Sequence, residues 1–253
     1  MTFYELYNSL SRLYPIELRC EWDNDGIMCA SDLNANVKKA LVALDVTMET
    51  IDFAIENGYD TIVSHHPLVF RSQKGLSPDN FTQKKLIKLV KNDVNVMSFH
   101  TRLDAADGGV NDVLASALSL KNIVKDDTEP IGRIGETIQE MELSTFAENV
   151  KKATRSPIVL YSGSKSVKKV YVVGGDGKDL INNAIANGAD TLLTGRASYN
   201  TMIDATDMGI NIIEAGHFFT ENLICQKIKA DILSIDNKIE ADVFNSYNIK
   251  SIT

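Results

Sequence analysis

Four histidines are the whole imidazole complement of this 253-residue chain, and their neighbours define the chemistry open to it. Two are adjacent, in Ser64-His65-His66-Pro67; the others are His100 and His217. His100-Thr101-Arg102-Leu103-Asp104 and His217-Phe218-Phe219-Thr220-Glu221 each place an acid four residues after the imidazole. If each stretch opens a helix, those residues share one face. Imidazole and carboxylate without thiolate suit zinc, iron, manganese, cobalt or nickel. Six candidate ligands (His65, His66, His100, Asp104, His217 and Glu221) exceed what one tetrahedral ion needs, so two ions with open positions fit the set better. Two-metal sites share a bridging water or hydroxide that becomes a nucleophile near neutral pH. Taken singly the residues say little: a lone histidine is more often surface or core, and an acid in a first helical turn is often a dipole partner. The joint pattern carries the argument, because no histidine falls outside it.

The elements that must position these residues read as strand ends. His65 and His66 follow the apolar run Asp60-Thr61-Ile62-Val63, and Pro67 favours an end to the strand there. His100 follows Val94–Phe99, and His217 follows Ile210–Gly216. The carboxyl ends of strands are where open α/β sheets bind ligands. A repeat underlies this placement. Residues 38–64 (KKALVALDVTMETIDFAIENGYDTIVS) align without a gap on residues 168–194 (KKVYVVGGDGKDLINNAIANGADTLLT), with ten identities in 27 positions. Each copy reads as strand, helix, Asn-Gly stop, strand: a βαβ unit. Helices near 82–91 and 200–207 extend each copy to its third strand.

Around the repeat, Phe3, Leu6, Leu10 and Leu13 predict an N-terminal helix over 2–14, ended by Pro15. The stretch 120–166 predicts strands at 122–125, 131–143 and 158–161 with a helix near 144–154. A helix through Ile224, Ile228 and Ile232 follows Glu221, and Ser246–Ile252 reads as a final short strand. With no Pro/Ser/Gly-rich linker, the expected organisation is lobe one at 1–120 and lobe two, with its connecting segment, at 121–253, packed as a single unit. Three further stretches read as turns, the last with an alternative. Glu21-Trp22-Asp23-Asn24-Asp25-Gly26 reads as a turn anchored by a buried indole. Asp107–Asp112 reads as a turn and N-cap opening a helix. Gly174-Gly175-Asp176-Gly177 reads as a tight turn at a helix head, or more weakly as a phosphate cradle, since it lacks both GxGxxG and a P-loop Lys-Ser/Thr.

Composition narrows the function. The net charge is −8, with 44% hydrophobic and 24% charged residues. That argues against binding nucleic acid in bulk or an anionic membrane surface, though not against a small anion held by metal. Three scattered cysteines without CxxC spacing point to a reduced, cytoplasmic setting. The N-terminus lacks the pattern of a signal peptide, and no apolar run approaches the ~18 residues needed to span a bilayer.

Several motifs, in order, resemble the Nif3-like dinuclear-metal proteins, homologues of type 2 GTP cyclohydrolase 1. They are Trp22-Asp23-Asn24-x-Gly26, Ser64-His65-His66-Pro67, His100-Thr101-x-Leu103-Asp104, Gly108-Gly109-Val110-Asn111-Asp112, Gly132-Arg133-Ile134-Gly135, Thr194-Gly195 and Gly216-His217-x-x-Thr220-Glu221. The resemblance spans nearly the whole chain and matches the short form of the family. It implies two similar α/β lobes with two divalent ions in the cleft between them, and a homohexameric ring whose sites face an inner cavity. Carried over by motif, the metal ligands are His65, His66, Asp104, His217 and Glu221, with Glu221 bridging, and His100 lies beside them, to support the ligands or transfer a proton, with a direct ligand role also open. One departure stands out. Where the family usually has an acid after Thr194-Gly195, this chain has Arg196, which implies altered chemistry, a different substrate, or a partner for a substrate phosphate.

The expected function is therefore metal-dependent hydrolysis of a small, anionic molecule, by resemblance the ring-opening of GTP by water at C8 of guanine. The rivals are a phosphoesterase and, from another class, a metal-holding ring that acts as scaffold or regulator. Nucleic acid threading the ring is a weaker idea, opposed by the net charge.

Overall fold

The computed structural model describes residues 1–250. In chain order its elements are α1 (Phe3–Leu13), β1 (Gly26–Cys29), β2 (Lys39–Ala43), α2 (Met48–Glu56), β3 (Thr61–Ser64), α3 (Phe81–Lys91), β4 (Asn95–Ser98), α4 (Thr101–Ala105), α5 (Val110–Ala117), β5 (Lys121–Lys125) and β6 (Arg133–Met141). There follow α6 (Leu143–Thr154), β7 (Leu160–Ser162), β8 (Val167–Val173), α7 (Ile181–Ala186), β9 (Thr191–Thr194), α8 (Tyr199–Asp207), β10 (Asn211–Glu214), α9 (His217–Glu221), α10 (Ile224–Ile235) and β11 (Glu240–Phe244). This is an α/β fold with two sheets. The tail reading is corrected: the last strand ends at Phe244 and 245–250 are irregular, while the rest of the expected strand, through Ile252, lies outside the described residues.

Contacts divide the chain into one unit of 1–103 with 224–249, and a second of 104–223. A single cut at 120/121 differs from this because β11 returns to pair, in parallel, with β2, and α5 packs on β6 and β8. The first unit holds a five-stranded sheet in the order β1-β4-β3-β2-β11, parallel except at β1. Both faces are covered, as parallel strands require. Leu41, Ile62 and Val96 join Ile51, Ala54 and Leu89 in one apolar cluster, and α10 packs on β2 and β11. The second unit holds a six-stranded sheet in the order β5-β6-β8-β9-β10-β7, with β8, β9 and β10 parallel. Alternation along its strands feeds two cores: Val170, Val172, Leu193 and Ile213 face one, and Tyr171, Val173, Leu192 and Ile212 face the other.

The internal repeat is structural. Ala40 pairs with Thr61 and Val170 with Thr191, each member shifted by the same 130 residues (170 − 40 and 191 − 61). Asp60 Oδ2 accepts the backbone N–H groups of Lys38 and Lys39 at 2.9 and 3.1 Å. Asp190 Oδ2 accepts those of Lys168 and Lys169 at 2.9 and 2.7 Å. In both copies the following threonine donates its hydroxyl to the other carboxylate oxygen. The shared Asp-Thr thus latches the start of one strand to the start of the next. The Asn-Gly stops end α2 and α7 with Gly58 at φ +71° and Gly188 at φ +69°, a left-handed conformation that glycine adopts without strain.

Candidate metal centre

In the first unit, three adjacent parallel strands end at the same edge. Asp45 lies just past β2, His65 and His66 directly past β3, and Phe99-His100 past β4. The rings of His65, His66 and His100 cluster with centroids 5.0, 5.3 and 5.7 Å apart. One ligand nitrogen from each lies within 4.8 Å of the others.

Each ring is fixed through Nδ1. His65 Nδ1 is 2.9 Å from the Phe99 carbonyl, which can only accept, so this nitrogen carries the proton. His66 Nδ1 is 2.8 Å from Asp45 Oδ1, and His100 Nδ1 is 2.8 Å from Asp23 Oδ1. A proton on every Nδ1 puts the lone pairs on Nε2, as in carboxylate–histidine–metal arrangements. Burial would push the Asp23 carboxyl up, but bonds from His100 and Thr101 outweigh it and hold it near 2. Asp23 is thus an anion at neutral pH, the acceptor that His100 Nδ1 needs.

The segment around Trp22 shapes this half of the site. The expectation of a turn anchored by a buried indole is wrong: Trp22 is 64% exposed, while Asp23 and Asp25 are each only 7% exposed. Asp23 Oδ2 accepts from Thr101 N and Oγ1. Asp25 Oδ2 accepts from His100 N and from the Arg102 guanidinium at 2.8 Å, an ion pair with both side chains at 0% exposure. What this segment anchors is the His100 backbone.

In the second unit the corresponding edge carries oxygens. His217 opens α9, and its Nε2 lies 2.9 Å from Glu221 Oε2 one turn on. That confirms the shared face read from the His-x3-acid spacing. His100, by contrast, stands one residue before α4 rather than inside it, and its Nδ1 is bonded to Asp23. Carboxylate oxygens of Asp104 and Glu221 lie within 4.8 Å of one another; two anions this close favour a cation at the same place. Glu221 is 4% exposed.

Glycines make room for it. A Cβ on Gly175, whose φ is +64°, would lie 2.1 Å from Glu221 Oε1 and 3.4 Å from His217 Nε2. Gly174–Gly177 is therefore the turn at a helix head, leading into a 3-10 turn at Lys178–Leu180, and its glycines serve Glu221. Thr220 Oγ1 accepts from Gly175 N at 3.1 Å. Asn111 Oδ1 accepts from Gly174 N at 2.7 Å, and its amide reaches the Asp104 carbonyl at 3.3 Å. Asn111 so ties the glycine turn to the backbone of Asp104, a role beyond opening α5. Arg133, 1% exposed, caps α4 by donating to the carbonyls of Ala105 and Ala106 at 3.2 and 2.9 Å, and to Asp112 at 2.8 Å. Arg196, just past β9, is exposed. Burial raises the proton affinity of Glu214, and the Arg196 charge partly offsets this.

The donor chemistry fits divalent metal: three imidazoles with Nε2 lone pairs in one unit, and an imidazole beside paired carboxylates in the other. The residue types alone do not mark Asp45, Asp23, Asn111 or Arg133 as parts of a site, though Asp23, Asn111 and Arg133 fall inside the quoted motifs, and the Gly174–Gly177 turn serves Glu221 where the sequence also allows a phosphate cradle. A signal for Asp45 and Gly175 existed, since they occupy equivalent positions of the repeat (45 + 130 = 175).

A sequence model of the Duf34/NIF3 (NGG1p interacting factor 3) family matches residues 1–250. The chain belongs to this family. It is 34% identical over 251 residues to a Clostridium perfringens relative named GTP cyclohydrolase 1 type 2 homolog, covering 96% of this chain and 94% of that one. Among solved structures, Staphylococcus aureus protein SA1388 superposes with a TM-score of 0.91 at 26% identity, covering 100% of this chain and 99% of that one. Reduced HcgD from Methanocaldococcus jannaschii superposes with a TM-score of 0.84 at 29% identity, covering 96% and 97%. The Duf34/NIF3 fold accounts for the two sheets of strand–helix units. No helix among the described residues is long and apolar enough to cross a membrane.

Proposed function

We propose that the chain is a dinuclear metal-dependent hydrolase of a small, anionic substrate, with His65, His66, Asp104, His217 and Glu221 as ligands and His100 as the proton-transfer residue. The observation that carries this reading is the tautomer pattern: His65, His66 and His100 all engage Nδ1 with oxygen acceptors, so the lone pair of each ring sits on Nε2, and one nitrogen from each ring lies within 4.8 Å of the others. When bound, two divalent ions would acidify water and polarise the electrophilic centre of the substrate.

The protein's own groups do the rest. Asp45 and the Phe99 carbonyl hold the orientation of His66 and His65. Asp23, anionic at neutral pH, stabilises His100 when Nε2 takes a proton, the support a carboxylate gives a general base. The buried Arg102–Asp25 pair fixes the backbone from which His100 projects. By similarity to relatives named GTP cyclohydrolase 1 type 2 homolog, GTP is the first substrate to assay.

The test is turnover by protein loaded separately with zinc, iron, manganese, cobalt and nickel. Loss of the guanine ultraviolet band would report ring opening, and released phosphate would report phosphoester cleavage. His100→Gln should lower kcat by 10²–10⁴-fold, the usual contribution of a positioned acid–base group, with metal content unchanged. Absence of turnover on nucleotides and phosphoesters with every metal would contradict the reading.

A further inference from the structure

We propose that Trp22 and Phe70 form an aromatic seat for the planar heterocycle of a nucleotide, beside the three imidazoles of the first unit. The proposal deepens the hydrolase reading and rests on it for the identity of the site. Trp22 is 64% exposed and Phe70 48% exposed, and their centroids are 6.1 Å apart. Each ring lies close to His100, at 6.1 and 6.2 Å, edge to face with interplanar angles of 76° and 79°. Large aromatic side chains are the usual anchors of binding sites, because they offer wide contact area at little entropic cost.

These rings are held in water rather than left there. The neighbours of Trp22 are tied down: Asp23 and Asp25 are buried and bonded to the backbone of the His100 segment. Asn24 donates its side-chain amide to the Val69 carbonyl, linking the Trp22 turn to the residue before Phe70. The seat is therefore built on the same hydrogen bonds that place His100, which is the preorganisation a binding surface needs.

The chemistry of the occupant follows from the two rings and the cations that follow Phe70 in the chain. Exposed indole and phenyl faces stack on any planar base. Exposed Arg71 directly follows Phe70 and exposed Lys74 comes three residues later, with no acid between Pro67 and Pro78, while the exposed acids Glu21 and Asp79 stand before Trp22 and after Pro78. A flat π-system joined to an anion satisfies both features; a bare sugar phosphate satisfies only the second.

Trp22 is the only tryptophan, so its emission reports the seat directly. Full-length protein, with and without zinc, would be titrated with guanosine 5′-monophosphate and with ribose 5-phosphate under excitation near the red edge of indole absorption. Equilibrium dialysis would follow the same ligands on Phe70→Ala, with circular dichroism confirming its fold. Saturable quenching by the nucleotide, none by ribose 5-phosphate, and a roughly tenfold weaker nucleotide affinity in Phe70→Ala are expected. Equal binding of the two ligands, no nucleotide binding in either metal state, or unchanged affinity in Phe70→Ala overturns the proposal. So does an emission shift with protein concentration alone, which would assign the indole to contact with a second copy. The readout needs no turnover, so failure of the hydrolase reading and failure of the seat are told apart.

Discussion

The two copies of the βαβ repeat share a scaffold and differ at its working edge. Both set their parallel strands in the same register, and both latch the strand starts with Asp60 or Asp190. At the carboxyl ends they part. Where the first copy has Asp45, the second has Gly175; where the first has His65-His66, the second has Gly195-Arg196. The first edge needs side chains, because imidazoles and their orienting carboxylate must converge there. The second needs space, because Glu221 arrives from α9 into a cradle that a methyl group would fill. The shared frame carries imidazoles and an orienting carboxylate at one edge and, at the other, a glycine that admits Glu221 beside His217.

The largest expected effect separates the buried anchors of the two edges. Asp25→Ala leaves the Arg102 guanidinium, at 0% exposure, with only neutral acceptors at Ser11, Tyr14 and Tyr7 among its hydrogen bonds, and should cost about 3–5 kcal/mol. Asp112→Ala should cost less, about 1–3 kcal/mol, because the Asp112 side chain is 23% exposed where that of Asp25 is 0% exposed, and Arg133 keeps carbonyl acceptors at Pro130, Ala105 and Ala106. Denaturant unfolding measures both, and equal losses would break the distinction. Next, alanine at Gly175 should cost more than alanine at Gly58 or Gly188. All three have φ between +64° and +71°, worth about 1–2 kcal/mol of left-handed strain, but only Gly175 adds a clash with Glu221. Gly175→Ala should also lower bound metal, which the other two should leave unchanged.

The shared latch makes a symmetric prediction. Asp60→Ala and Asp190→Ala each remove the acceptor of two backbone N–H groups and should cost similar amounts, about 1–3 kcal/mol. A loss confined to one copy would show that the latch matters in only one frame. The smallest effect is in acid. Burial would raise the Asp126 carboxyl, but the Tyr171 hydroxyl at 2.6 Å and the Thr128 groups hold it near 2. Its folded value lies below its unfolded one, so its stabilisation is complete above the ordinary carboxylate range and lost as pH falls toward 2. Asp23 behaves alike. Asp126→Asn should flatten the fall in stability between about pH 4 and pH 2, seen in thermal melts across that range.

Much of the fold was legible because the repeat is written in identities that do structural work: Asn-Gly stops, Asp-Thr latches and apolar strands. The four histidines were legible as strand ends for the same reason. The exposure of Trp22 was not, since a lone indole beside turn residues looks like a core anchor until its neighbours are seen to hold it outward. The role of Gly175 was hidden because its partner Glu221 is 46 residues away (221 − 175), and only the fold brings a glycine's missing side chain against a carboxylate. His100 and His217 share a spacing yet differ by one position relative to their helices. Both helices begin three residues after their strands end, at Thr101 after Ser98 and at His217 after Glu214, so the place His100 holds is taken by Gly216, at φ +83°, and His217 stands one residue further on.

The measurement that bears most directly on the central claim is elemental analysis of protein purified without chelator, alongside His65→Ala and Glu221→Ala variants shown to be folded. The account predicts about two transition-metal ions per chain, the number a dinuclear site holds, with loss of metal in both variants, one from the nitrogen-donor edge and one from the oxygen-donor edge. No bound ion after reconstitution with zinc, iron, manganese, cobalt or nickel, or full occupancy in either variant, would contradict it.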